Sequence, residues 1–264
     1  MHVLVHGSEL SAATAAAALC WVGHEVTWLP HGDQPWSTLR RADWLIREPR
    51  LLDQLESGLA DASLRLVASA EEALQHPQEV VWLSLSPEQR GDLDELFVAL
   101  GSNGAQSRLL VNHSTFPVGE TERLEARLGQ DSHAVALSDM IEEGRAWETF
   151  TRPGRWLLGC DDESAEAQVR ELLRAFNRRQ EVIQRMPRRA AELTKLAING
   201  MLATRISYMN EVAGLADSLG VDVEFVRQGM GSDPRIGYEY LYPGCGFGGP
   251  NFSRDLMRLA DVQS

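Results

Sequence analysis

The chain has 264 residues, 44% hydrophobic and 24% charged, with a formal net charge of −13. That length holds one large or two modest domains with an ample core, in the composition of a soluble globular protein. The acidic balance excludes a protein that tracks nucleic-acid phosphates, and no stretch approaches the 18 apolar residues that would suggest a membrane span. The arginine pairs Arg40-Arg41, Arg178-Arg179 and Arg188-Arg189 are expected on solvated faces. Cys20, Cys160 and Cys245 show no metal-ligand spacing, so no metal site is expected, and Cys20 reads as a buried thiol in an apolar helix. Met1 leads straight into a strand with no basic leader, and a reduced cytoplasmic setting is the expectation.

In chain order, residues 2–6 form a short apolar strand, Gly7 a turn, and residues 11–22 an alanine-rich helix. Gly23 ends that helix, and residues 25–29 form a second strand. Strand, glycine turn, helix, glycine, strand is the opening of a parallel βαβ unit. Further strands are predicted at 64–67, 80–85, 109–112 and 134–137, with helical patterns between several of them. The alternation predicts a doubly wound, Rossmann-like α/β domain over residues 1–187. From Arg188 no proline interrupts the chain until Gly220 provides a stop. Leu193, Leu196, Ala197, Met201, Thr204, Tyr208, Val212, Leu215 and Leu219 recur at helical spacing, which predicts one helix of roughly 45 Å at ~1.5 Å per residue. A helix of that length outgrows the apolar face of one small domain. Residues 188–264 are therefore predicted to be a small helical, dimerising domain.

A dinucleotide-binding turn uses glycine for the tight turn, for approach of the pyrophosphate and for helix–strand packing. The chain reads Gly7-Ser8-Glu9-Leu10-Ser11-Ala12 in that register. Gly7 remains and Ala12 is tolerable at the third position. Glu9 places a carboxylate where the pyrophosphate would lie. The same carboxylate suits a helix N-terminus that holds no dinucleotide. The acid that binds the ribose should end the second strand, but Pro30 and His31 stand there, with Asp33 further on.

Residues 189–255 read RAAELTKLAINGMLATRISYMNEVAGLADSLGVDVEFVRQGMGSDPRIGYEYLYPGCGFGGPNFSRD. This resembles the central segment of the UDP-glucose/GDP-mannose dehydrogenase family, most closely its UDP-glucose branch. The likeness runs weakly through the first domain and strongly from Arg189 onward. The resemblance implies oxidation of a nucleotide-sugar alcohol to a carboxylate with NAD and a cysteine nucleophile. Where the family's Gly-Gly is followed by Ser-Cys-Phe-Pro-Lys-Asp, this chain has Pro250-Asn251-Phe252-Ser253-Arg254-Asp255. Asn251 thus stands for the nucleophile, Arg254 for the cofactor-side lysine and Asp255 for the acid. Lys195 and Asn199 match the lysine and asparagine that would stabilise alkoxide charge, with a solvated helix face as the alternative.

Thr115, in Ser114-Thr115-Phe116-Pro117-Val118-Gly119, matches an active-site threonine; as a residue it could equally cap the next helix. Asp139 and Glu143 match a pair in which the first helps activate water and the second lies by the substrate. Their spacing predicts one side of a helical turn, though composition alone suggests surface carboxylates. Ser86, before Pro87, matches a hydroxyl beside the cofactor, or belongs to a generic loop. Arg235 matches an arginine that reaches the partner subunit's substrate. Tyr242, Gly246, Phe247, Gly248 and Gly249 match the loop that holds the sugar through backbone contacts, and Cys245 belongs to that loop.

Family members continue into a second, uridine-diphosphate-binding domain that this chain is expected to lack. Three readings follow. The chain is a degenerate relative that binds a UDP-sugar or joins a partner dehydrogenase or polysaccharide-synthesis protein. Alternatively it is an oxidoreductase limited to alcohol-to-aldehyde chemistry, or a fragment whose missing half lies in another chain. A homodimer is expected in each.

Overall fold

The computed structural model describes every residue except 33, 87–88, 90, 103–107, 179 and 262–264, with only the backbone of 250 and 251. The chain forms two compact units, Met1–Glu192 and Leu193–Ser264. In order, the first contains β1 (His2–His6), α1 (Leu10–Trp21), β2 (Glu25–Leu29), α2 (Trp36–Leu39), α3 (Asp43–Ile46) and α4 (Pro49–Ala60). It continues with β3 (Leu64–Leu66), α5 (Ala70–Ala73), β4 (Val80–Leu83), α6 (Asp92–Ser102), β5 (Leu109–Asn112) and α7 (Glu120–Glu125). Then come β6 (His133–Leu137), α8 (Ala146–Thr151), β7 (Trp156–Gly159), α9 (Glu163–Leu172), β8 (Ile183–Met186) and the first turn of α10 (Arg188–Leu219). The second unit holds the rest of α10, then α11 (Val223–Ser232) and α12 (Pro250–Asp261).

The eight strands form one sheet in the order β3-β2-β1-β4-β5-β6-β7-β8. Every pairing is parallel except β6 with β7. The order reverses direction between β1 and β4, which makes their C-terminal ends the switch point where such sheets open a crevice. The central strands are continuous apolar runs because helices cover both faces: Val80, Val81, Trp82 and Leu83 are all buried. The expected α/β class and the first six strands are therefore present, with shifts of one or two residues at some ends. β7 and β8 were not among the predicted strands. Trp156–Gly159 is too short an apolar run to distinguish strand from helix, and in β8 only Ile183 is fully buried.

Helix α1 is buried on nearly every side, which alanine allows without excluding its neighbours. Its end shows how glycine terminates a helix. Gly23 adopts φ 97°, and the amides of Gly23 and His24 return to the carbonyls of Cys20 and Leu19 at 2.9 and 3.1 Å. Gly220 (φ 65°) ends α10 the same way, with the Val221 amide 2.9 Å from the Ala216 carbonyl. The predicted long helix and its stop are both present.

Two expectations need correction. Cys20 is only half-buried, with its Sγ 2.9 Å from Ser63 Oγ. Arg188 is not on a solvated face: it is largely buried, and bridges Glu125 and Asp161 at 2.7 Å each. Arg189 stays exposed and pairs with Glu122 at 2.7 Å. Among the described residues no helix is long and apolar enough to cross a membrane.

Gly7 is where the fold tolerates least. Its φ is 142°, and a Cβ there would run into the Ser84 carbonyl at the end of β4. Gly7→Ala is expected to destabilise the protein by about 2 kcal/mol or more, through backbone strain and overpacking together. Urea unfolding at equilibrium checks this; an unchanged midpoint would show that the β1–β4 junction yields.

Candidate functional site

At the switch point the Gly7 amide bonds the Leu29 carbonyl at 3.0 Å, and the Gly7 carbonyl accepts from Trp28 Nε1 at 2.7 Å. The tight turn and the close packing on β4 are thus intact, with Ala12 buried behind them. Ser8 Oγ accepts the His31 amide and donates to the His31 carbonyl at 3.3 Å. Glu9 occupies the extended residue just before α1, exposed, with no capping bond from its side chain. One turn on, Ser11 Oγ donates to Asp139.

The partial positive charge at a helix start ordinarily recruits an anion. Here two carboxylates of the chain itself, Glu9 and Asp139, already stand at that position. A pyrophosphate would bring further negative charge into the same field, so these residues do not fit the diphosphate of a dinucleotide such as NAD. The ribose end differs as well. His31 follows Pro30 and directs Nδ1 to Asp92, the first residue of α6, while Asp33 lies outside the described residues. Ser86 sits in a turn closed by Gln89, whose Oε1 accepts the Ser86 amide at 3.0 Å; Pro87 is likewise outside the described residues.

Thr115 is half-exposed in the loop after β5. It does not cap α7: the N-cap residue is Gly119, at φ 90°. The capping acceptor comes from far along the chain. Glu192 takes the Gly119 amide at 2.6 Å, the Thr121 amide at 2.9 Å and the Thr121 hydroxyl at 2.6 Å. Asn112 Nδ2 reaches the same hydroxyl at 2.9 Å. The first turn of α10 thereby fixes the loop that carries Thr115. Glu192 is the glutamate of the Glu192-Leu193-Thr194-Lys195 motif, and its role was not read from the sequence because its partners lie over 70 residues away.

Asp139 and Glu143 do not share a helical turn. Residues 138–142 are irregular and 143–144 form a turn, with Gly144 at φ 83°. Asp139 Oδ1 accepts the Ile141 amide at 2.9 Å, a local bond that competes with helix, and Glu143 is exposed. The buried Glu48 holds the loop's end by accepting the amides of Gly144 and, at 3.1 Å, Ala146. Burial pushes the Glu48 carboxyl above its ordinary range. His113 is a further member that sequence reading missed. It is buried, with Nδ1 3.2 Å from Ser84 Oγ and Nε2 4.0 Å from Asp139 Oδ1. The signal was a pair of polar residues, Asn112 and His113, directly after the apolar run 109–111.

In the second unit Asp255 is completely buried. Each of its oxygens has a donor: Asn199 Nδ2 at 2.6 Å and Arg254 Nε at 3.0 Å. Lys195 is half-buried one turn before Asn199 and, among the described residues, makes no hydrogen bond or ion pair. Asn251 lies in the first turn of α12, and its side chain is outside the described residues.

The loop before it is exposed, with Gly246 at φ 103° and Gly249 at φ 86°, conformations that glycine adopts freely. Phe247 and Phe252 have ring centroids 6.2 Å apart. The Gly244 amide bonds Asn210 Oδ1 at 2.8 Å, and the Arg227 guanidinium lies 4.6 Å from the Tyr242 ring centroid. Arg227 in turn holds the Glu224 carboxyl down to about 2. Arg235 is 87% exposed and doubly bonded to Asp233, at 2.6 and 3.0 Å. Cys245 is exposed. Among the described residues no three His, Cys, Asp or Glu side chains could hold a metal ion.

A doubly wound sheet followed by a helical unit with a glycine-rich loop defines a class of dehydrogenase-like folds. Residues 189–264 match the model of the UDP-glucose/GDP-mannose dehydrogenase family, central domain. The whole chain is 37% identical to UDP-glucose 6-dehydrogenase of Pseudomonas aeruginosa, of which it covers 62%. It is 30% identical to UDP-glucose 6-dehydrogenase of Rhizobium meliloti, with 98% of this chain and 62% of the relative covered. A UDP-glucose dehydrogenase structure from Pyrobaculum islandicum superposes with TM-score 0.85 at 26% identity, over 99% of this chain and 63% of that one. Residues 189–264 thus match that family's central domain, and the chain spans about 62% of the length of the curated relatives it matches.

The charge at the start of α1 sets an expectation for NAD. Calorimetric titration should give a dissociation constant weaker than about 1 mM, roughly 4 kcal/mol of binding free energy. Glu9→Gly should tighten it. Tight binding by the unaltered chain would show that the carboxylates move aside.

Proposed function

We propose that the protein is a nucleotide-sugar-binding relative of the UDP-sugar dehydrogenases that does not carry the oxidation through to the uronate. Asn251, at the position of the nucleophile, carries this reading. A side-chain amide is neither acidic nor nucleophilic enough to trap an aldehyde as a thiolate does, so no covalent adduct forms from which a second hydride could leave. Lys195, Asn199, Asp255 and Arg254 supply a cation and oriented hydrogen-bonding groups for a sugar hydroxyl. The relatives are UDP-glucose 6-dehydrogenases, which makes a UDP-sugar the ligand of choice, in a cytoplasmic role tied to polysaccharide synthesis. The partner in this reading is an active dehydrogenase or a polysaccharide-synthesis protein.

One observation favours a second reading, oxidation of alcohol to aldehyde only. The buried Asp255 has a donor on each oxygen, and Lys195 stands one helical turn before its partner Asn199, a costly arrangement for a scaffold without ligand. That reading needs NAD, which would bring hydride acceptance. The carboxylates at α1 oppose its pyrophosphate.

The second unit supports self-association. Met201, Tyr208, Leu215 and Leu219 leave an exposed apolar row along α10, extended by Phe225 on α11. The homodimer we propose uses this face. Sedimentation at micromolar concentration should give twice the 29.3 kDa chain mass; a monomer would remove any role for Arg235 across an interface.

Calorimetry with UDP-glucose should show binding, while incubation with NAD and UDP-glucose should yield no glucuronate by mass spectrometry. Turnover on the order of 1 per second or faster would overturn the proposal. Asn251→Cys combined with Glu9→Gly should produce slow activity if the polar cluster around Asp255 is competent. No activity from that pair would leave binding or assembly as the function.

A further inference from the structure

On one face of the sheet the crossover from β3 to β4 is short, and its helix α5 has four residues. Leu29, Ala70, Ala73 and Leu74 belong to one apolar cluster, so α5 covers the C-terminal end of β2. Two residues before Leu29, and therefore on the same face, stands Thr27, paired in register with Arg65 of the edge strand β3. Here the chain returns to β4 through residues 76–78. A cleft of about 450 Å³, partly open to solvent, is lined by that segment and by the N-terminal ends of β1, β2 and β3. That volume lies within the roughly 300–1,000 Å³ of small-molecule sites.

The inner wall of the cleft is polar. Thr27 and Gln78 are 6% and 3% exposed, and Gln78 Nε2 is held by the Ala73 carbonyl at 3.1 Å. Ser63 also lines the cleft but is committed to its own turn, its Oγ donating to Asp61 and its amide 2.9 Å from Asp61 Oδ1. The carboxylates nearby are engaged as well. Glu25 lies 3.2 Å from His2 Nδ1, and Glu79 accepts the His2 amide at 2.7 Å. Arg65 and His76 are different. Both line the cleft and are exposed, and among the described residues neither side chain makes a hydrogen bond or ion pair. A guanidinium offers a planar fork of donors that matches a phosphate or a carboxylate.

We propose that this cleft binds a small organic oxyanion of monosaccharide size, a phosphate ester or a sugar acid. Arg65 holds the oxyanion through its fork, and His76 donates to it from the 76–78 segment. The Thr27 hydroxyl, beside Arg65 in the sheet register, meets a hydroxyl of the ligand. The cleft lies at the N-terminal ends of the strands, the opposite end from the crevice at the switch point. The inference is independent of the sugar-nucleotide reading, which rests on the second unit.

The test is calorimetric titration of the full chain with glucose 6-phosphate, glucuronate, glucose and inorganic phosphate. One of the two organic anions should bind with a Kd of about 1 mM or tighter. It should bind at least tenfold tighter than glucose and than inorganic phosphate, and its identity assigns the oxyanion to a phosphate or a carboxylate. Arg65→Ala should weaken that binding tenfold or more. Arg65→Lys keeps the charge without the fork and should weaken it by a smaller factor. Both variants should bind UDP-glucose as the unaltered chain does. In the unaltered protein, saturation with the organic anion should shift the ring resonances of His76, while those of buried His6, at the other end of β1, stay in place. The proposal fails if neither organic anion binds, if glucose or inorganic phosphate binds as tightly, if Arg65→Ala keeps full affinity, or if the His76 resonances do not move. Absence of UDP-glucose binding alone would count against the sugar-nucleotide reading and leave this one standing.

Discussion

The crevice exists because β1 lies directly against β4 and the chain leaves β1 at a residue with no side chain. Gly7 brings backbone against the Ser84 carbonyl, and there is no room for a methyl group. Trp28, buried in β2, completes the junction by donating its indole hydrogen to the Gly7 carbonyl. Helix α1 follows, and small alanines let it settle close to the sheet. The elements that carry chemistry in the first unit, namely the Ser8–Glu9 turn, His31, Asp92, His113 and the Asp139 loop, are placed by this one approach of main chain to main chain.

Around that junction the start of α1 is surrounded by negative charge of the chain's own. A helix N-terminus is a weak positive pole, and in a dinucleotide-binding turn its charge is spent on the ligand. Here Glu9 and Asp139 supply the negative charge from within. Asp139 is drawn to Ser11 and to the Ile141 amide, and lies near the buried His113. A carboxylate so engaged joins the β6 loop to α1.

In the second unit both oxygens of a fully buried carboxylate, Asp255, are satisfied by Asn199 and Arg254. Removing either donor would leave charge exposed to a low-dielectric interior, so the cluster is kept together by the cost of breaking it. Glu192 acts similarly in the first unit. Three hydrogen bonds tie the first turn of α10 to the turn before α7, within the first unit.

Much of this was legible in the residues alone. Apolar runs of four or five residues separated by helical stretches announce the parallel sheet, and Gly23 and Gly220 mark helix ends because only a residue without Cβ adopts those angles cheaply. The loss of glycine at position 9 and of the acid at position 30 follows from residue chemistry at positions whose task is local. The tertiary structure alone decided which distant groups share a place. The Glu192 clamp spans more than 70 residues, the Glu48 contacts 96 and 98, and the His31–Asp92 bond 61. Helical and strand periodicities report only a residue's neighbours along its own element, so they carry no signal for such pairs. The Asp139–Glu143 segment shows the same limit from the other side. Its spacing was compatible with a helix, but Asp139 bonds Ser11 and the Ile141 amide instead, and Glu48 takes the Gly144 amide at the segment's end.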